Sequence, residues 1–199
     1  MHSKGDEVME DKKELTKDLL TTSFKELIMQ IPFEKITIKM ITDGAGVIRP
    51  TFYKHFQDKY EILEWILKKE LADKIQILID NDMEEDIFRL LCNCLEKDKE
   101  LYKKLYAIEG PNSFDELMHH FIFNMLTSLK NKYPLKSSGE LEIFPSEVVL
   151  RFYTFGLTGS LKHWIVHDSS YSAEQVCDAY NYIIHNSILE LIDLPDSKS

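Results

Sequence analysis

Little in this 199-residue chain breaks or staples a backbone. Seven Gly and six Pro are too few for a collagen-like, linker-rich or disordered chain. Three cysteines, Cys92, Cys94 and Cys177, are an odd number, and no structural disulfide is expected of them. No apolar run approaches the eighteen or so residues of a membrane span. The opening MHSKGDEVMEDKKE is charged and lacks the apolar core of a signal peptide. The expectation is a cytoplasmic protein with a floppy tail over residues 1–12.

Catalytic groupings are absent as well. There is no Ser/His/Asp order, no phosphate loop and no Gly-rich dinucleotide turn. His163 and His167 share a helix face at a spacing that can hold zinc. No Glu stands beside the first His, so the protease motif is missing. His119 and His120 face apart, and Cys92-x-Cys94 splays its thiols to different faces of a helix. Solvated or core side chains are the reading for all of these. No metal, cofactor or enzymatic activity is expected.

What is present is helix. Asp58-x-x-Glu61 reads as a capping box opening a long helix through Ile62, Leu63, Ile66, Leu67, Leu71, Ile75 and Leu78. Further helices are predicted over about 85–97, 99–108, 113–132, 146–167 and 172–194. Ser113-x-x-Glu116 and Ser172-x-x-Gln175 start two of them. A polar loop, about 132–145, separates the middle helices from the last two. No alternating β pattern competes, so the fold is read as all-α.

The segment Ile38–Phe56, IKMITDGAGVIRPTFYKHF, carries the functional signal. Ile38 and Ile41 share one helix face, and Thr37 is placed to cap that helix. Gly44 or Gly46 can supply the left-handed residue that ends it. Val47 and Ile48 are expected to bury the turn. Pro50 falls in the first turn of the next helix, where a missing N–H costs little. Phe52 and Phe56 anchor that helix, while Arg49, Thr51, Tyr53, Lys54 and His55 face outward. This is a helix-turn-helix whose second helix would enter the major groove.

These residues carry a family resemblance. Ala45-Gly46-Val47, Thr51-Phe52-Tyr53-Lys54-His55-Phe56 and Asp58-Lys59-Tyr60-Glu61-Ile62-Leu63 resemble the TetR family of bacterial regulators. The family pattern is roughly A-G-V-S-K-G-T-L-Y-x-H-F-x-x-K-E-E-L. The match runs back through a first helix, 16–31, and Pro32-Phe33-Glu34-Lys35-Ile36-Thr37. Ile48 stands where the family places a capping Ser, which weakens the cap by about 1 kcal/mol. Pro50 stands where the family has Gly. The Ile48-Arg49 turn and Phe155-Gly156-Leu157 with Lys162-His163-Trp164 resemble the branch that includes activators of dihydroxyacetone kinase operons.

The resemblance implies a three-helix DNA-binding domain over 13–58, joined by a long helix to a regulatory and dimerisation domain over 59–194. Arg49, Pro50 and Thr51 would meet base edges. Tyr53, Lys54, His55 and Lys59, with Thr37 and Lys39, would clamp phosphates. The family implies an effector cavity on the middle helices, with Tyr102, Tyr106, Met118, His119, Phe121, Ile122, Met125, Tyr153, Leu157 and Trp164 as candidate lining. The last two long helices would pack against their twofold mates as a homodimer. That seam would use Phe152, Gly156, Gly159, Ser160, His163, Tyr180, Ile184 and Ile188.

Net charge is −10, which at long range repels DNA. The distribution resolves the conflict. Residues 1–69 hold 12 cations and 12 anions, and residues 70–199 hold 12 and 22. The expected protein is a one-component repressor or activator that binds a palindromic operator as a dimer. Its switch would be a small-molecule effector or, alternatively, a protein co-regulator.

Overall fold

The computed structural model describes residues 4–135, 144–167 and 170–191. All regular structure among them is helical. Helix α1 spans Lys4–Gln30, α2 Ile38–Gly44 and α3 Arg49–Tyr53. Helices α4 (Tyr60–Leu67) and α5 (Asp73–Asp80) flank a π-helical turn, Lys68–Ala72. Helices α6 (Ile87–Lys97), α7 (Lys99–Tyr106) and α8 (Phe114–Lys132) follow. The chain ends in α9 (Ser146–Val166), α10 (Ala173–His185) and a last turn, α11 (Ile188–Leu191).

Several starts follow the predicted chemistry. Thr37 Oγ1 accepts the Met40 amide at 3.2 Å. Ser172 and Gln175 form the full reciprocal capping box. Ser113 accepts from the Glu116 amide, which is half of one. At α4 the box is displaced. Asp58 accepts from the amides of Tyr60 and Glu61, while Glu61 reaches back to the Gln57 amide at 2.8 Å.

Two boundaries differ from expectation. Helix α1 begins at Lys4, so it takes in most of the segment read as a tail. Glu7, Met9, Glu10 and Lys12 in that stretch are good helix formers. The final helix stops at His185 instead of running to 194. Asn186 turns extended and its side-chain amide donates to the Tyr182 carbonyl, an alternative to the helical ladder. Most of the predicted 132–145 loop, and residues 192–194, lie outside the described residues.

The π turn has a cause in the sequence. Leu63, Leu67, Leu71, Ile75 and Ile79 are all buried and all four residues apart. In an ideal α-helix each four-residue step overshoots a full turn by about 40°, so four steps drift by about 160°. Local underwinding removes part of that drift. Here the Asp73 amide bonds to the Lys68 carbonyl, five residues back. The rod can then keep one apolar line from Tyr60 to Asp80.

Two glycines are required for different reasons. Gly46 has φ +66° and closes the turn between α2 and α3. Gly44 lies against α1, where an added Cβ would sit 2.3 Å from the Ser23 hydroxyl. The core extends from Leu20 through Phe52, Leu71 and Tyr102 to Trp164 and Ala173. Two phenols inside it, Tyr102 and Tyr106, have no hydrogen-bond partner. All three cysteines are free thiols, and burial pushes Cys92 up to about 12. No helix among the described residues is long and apolar enough to cross a membrane.

Candidate nucleic-acid interface

The candidate surface is built on two buried rings. Phe52 and Phe56 are 0% and 3% exposed and lie 5.7 Å apart. They pin α3 and the turn after it, so the intervening positions must face out. Arg49, Pro50, Tyr53 and Lys54 are exposed, and Thr51 and His55 are half-buried. Arg49 Nη2 donates to the Tyr53 hydroxyl at 3.1 Å, and its guanidinium lies 5.6 Å from the Tyr53 ring centre. An i, i+4 pair of this kind holds a planar five-donor fork in place before any ligand arrives.

The N-cap of α3 is bare, as the sequence implied. Ile48 is extended there and offers no side-chain bond. It does not bury the turn. Val47 packs against the core, whereas Ile48 is 70% exposed. The reason is alternation of the two side chains across the turn. Ile48 therefore joins the surface beside Arg49, as an apolar group suited to a thymine methyl.

The predicted clamps divide. Thr37 is exposed, and its capping role uses the hydroxyl only as acceptor, leaving its proton to donate. Lys39 is exposed and pairs with Asp43 at 2.5 Å, an ion pair weak enough to exchange. Lys59 is a correction. Its ammonium donates to the Phe33 and Ile36 carbonyls at 2.6 and 2.9 Å and lies 4.1 Å from the Phe33 ring centre. Burial lowers its pKa, although Glu34 works against the shift. Lys59 ties the start of α4 to the turn after α1 and is engaged inside the head.

His55 has its pKa lowered, first by burial and then by the charges of Lys17, Lys13 and Lys54. Its neutral ring can still donate one N–H. Two of those lysines belong to α1 and were not foreseen. Lys17 lies 5.4 Å from the Phe56 ring centre and 4.2 Å from that of Trp65. Only the fold brings α1 beside the residues after α3.

The effector-cavity residues are mostly packed core. Tyr102, Met118 and Ile122 are 0% exposed, and Tyr106, Met125, Leu157 and Trp164 are also buried. His119 and Phe121 are half-buried, and Tyr153 is exposed. The middle helices fill the expected space with their own side chains. The concavities present lie at the edge of that packing and take in Met125, Tyr153, Leu157 and Trp164 from the expected set. One of about 470 Å³ runs between α9 and α10, with Phe88, Leu157, Trp164 and Tyr180 in its walls. A smaller one, about 200 Å³, lies across Leu157 and Tyr180 and includes Met125 and Tyr153.

The expected seam residues are largely free. Phe152 is 76% exposed, Ile188 68% and Ile184 43%. Gly156, Gly159, Ser160 and His163 are exposed, and nothing lies within 4 Å of a Cβ built on either glycine. Tyr180 is the exception. It is half-buried, 4.5 Å centre to centre from Phe88, and so belongs chiefly to the packing of α10 on α6.

Comparison with known proteins agrees with this geometry. The family described as "Bacterial regulatory proteins, tetR family" matches residues 24–66. That described as "Transcriptional regulator C-terminal region" matches residues 82–186, more than half of the chain. The HTH-type dhaKLM operon transcriptional activator DhaS of Lactococcus lactis subsp. lactis (strain IL1403) is 26% identical over 118 residues. That segment is 59% of this chain and 60% of the relative's length. Among solved structures, a dihydroxyacetone kinase operon activator DhaS aligns with TM-score 0.59 and 21% identity, covering 85% of this chain and 94% of its own. Thermus thermophilus FadR, a TetR-family repressor solved with lauroyl-CoA, aligns with TM-score 0.57 and 16% identity, covering 92% and 99%. The reading head and the C-terminal half are thus both matched, and the chain belongs to the TetR family of transcriptional regulators.

Proposed function

We infer that this regulator binds a palindromic operator as a homodimer, in the cytoplasm, with α3 of each copy in the major groove. The observation that carries this is the outward Arg49–Tyr53 pair on a helix anchored by Phe52 and Phe56. Arg49 would read guanine, and Ile48 and Thr51 would touch thymine or phosphate. Lys54, His55, Thr37 and Lys39 would set register on the backbone. One such head makes few contacts, so two fixed about one helical turn apart would be needed for useful affinity. The bare apolar face of α9 and α10 supports the pairing of two copies.

An effector would act by binding one head arrangement better than another. The concavities beside Leu157 and Tyr180 favour an apolar small molecule as that effector. A second reading is an activator switched by a protein co-regulator. It is favoured by the likeness to an operon activator.

The test is selection of duplexes from a random-sequence pool, with sedimentation of the protein alone. Enrichment of a two-fold symmetric site by a dimeric protein is expected. A pool that shows no enrichment, or a monomer at micromolar concentration, overturns the reading.

A further inference from the structure

The spacing of His163 and His167 allows either solvated rings or a metal. Three features of the fold favour the metal. The first is ring geometry. The two imidazoles lie with centres 5.4 Å apart and planes at 44°. With Zn–N bonds of about 2.0–2.1 Å, two imidazoles on a tetrahedral ion have ring centres roughly 5 Å apart. Both residues are exposed, and among the described residues no hydrogen bond holds either ring.

The second is a fixed frame. The last backbone bond of α9 joins the pair itself, from the His167 amide to the His163 carbonyl at 2.9 Å. Trp164, between them in sequence, is buried, and its indole N–H donates to the Tyr171 carbonyl at 2.9 Å. The end of the helix is thus pinned from below while the two rings stand above it.

The third is charge. The pair occupies the last turn of a 21-residue helix, and the negative end of a helix favours a cation. The neighbouring ammonium, Lys162, is drawn off to Asp115 at 2.8 Å.

We propose that His163 and His167 form a binding site for a divalent first-row transition metal such as zinc. No group of three or more His, Cys, Asp or Glu among the described residues could hold a metal. Water therefore completes the shell, and the ion exchanges readily, unlike one in a closed four-ligand structural site. His163 is also in the wall of the concavity between α9 and α10. An ion there stands at the edge of that space and of the bare face of α9, so its binding is linked to whatever fills either one.

Calorimetric titration of the untagged full-length protein with zinc chloride tests the site. One zinc per chain is expected at micromolar concentration, and none of the magnesium added in a parallel run, because imidazole suits zinc and magnesium prefers oxygen. His167→Gln should weaken zinc binding about tenfold or more, at least what loss of an outer-shell partner costs. His185→Gln, another exposed histidine on α10, should bind zinc as the wild type does. No zinc uptake by the wild type overturns the site. So does equal uptake by His167→Gln, or an equal loss in His185→Gln. Neither DNA nor a second copy enters the measurement, so it stands or falls apart from the reading above.

Discussion

The head and the body each leave one large surface without a partner, and the two surfaces differ in kind. On the head, the side chains left over after Phe52 and Phe56 are buried are a guanidinium, a phenol, an ammonium and hydroxyls. On the body, the free face of α9 to α11 shows Phe152, Phe155, Tyr182, Ile183 and Ile188, each more than half exposed. A polar, donor-rich surface on a rigid helix gains most from a polyanion. An apolar helical face gains most from another apolar face. One chain thus carries two free surfaces of different chemistry, and a substitution can change the side chains of either one without touching the other.

The largest effect should come from the apolar face. In Gly156→Leu the new side chain meets nothing within its own chain, and Leu is the better helix former by nearly 1 kcal/mol. The fold should hold or gain stability. Sedimentation should nevertheless show a monomer, and operator affinity should drop by about a hundredfold or more as two heads become one. A variant that stays dimeric would place the seam elsewhere.

On the polar face, Arg49→Ala should cost about 1–3 kcal/mol on the selected operator and much less on random duplex. Fluorescence anisotropy with both probes measures the difference. Equal losses would make Arg49 a backbone clamp.

Lys59→Ala sharpens the boundary between surface and scaffold. It removes two bonds to carbonyls inside the head, each worth about 1 kcal/mol. The melting temperature should fall, while the slope of log affinity against log salt stays the same. A slope reduced by about 1 would return Lys59 to the phosphate contacts.

The smallest effect concerns pH. The pKa of His55 is lowered in the fold from its ordinary 6.5. The unfolded chain therefore binds a proton first as pH falls, and stability supplied by the neutral ring is lost through and below about 6.5. Phosphate beside the ring would favour the proton. Operator affinity should rise a few-fold, roughly, between pH 7.5 and 5.5, and this rise should vanish in His55→Gln. An identical pH response in the variant would remove His55 from the interface.

The parts legible in the sequence were those set by neighbours along the chain. Thr37 and Ser172 cap helices because their hydroxyls reach amides three residues on. Gly46 turns left-handed because the helix before it must end within a few residues of the next. Arg49, Tyr53 and Lys54 were placed outward by the buried spacing of Phe52 and Phe56. What escaped depends on contacts across many residues. Lys59 meets carbonyls 26 and 23 residues earlier. Lys17 reaches Phe56 and Trp65 through the folding of α1 over α4. The middle-helix aromatics carry the composition of a cavity wall, and only packing decides that they fill the space.

The unpartnered phenols of Tyr102 and Tyr106 have a thermodynamic consequence. Each buries a hydroxyl that water would have bonded, at a cost of roughly 1–3 kcal/mol. Phe at either position would keep the ring and remove that cost. The body is thus held below the stability its own architecture permits, by groups that a single well-placed acceptor would satisfy. A small rearrangement near α7 that supplies one acceptor returns free energy comparable to a tenfold change in an equilibrium constant, so the shift of a single polar group there is enough to alter the stability of the whole body.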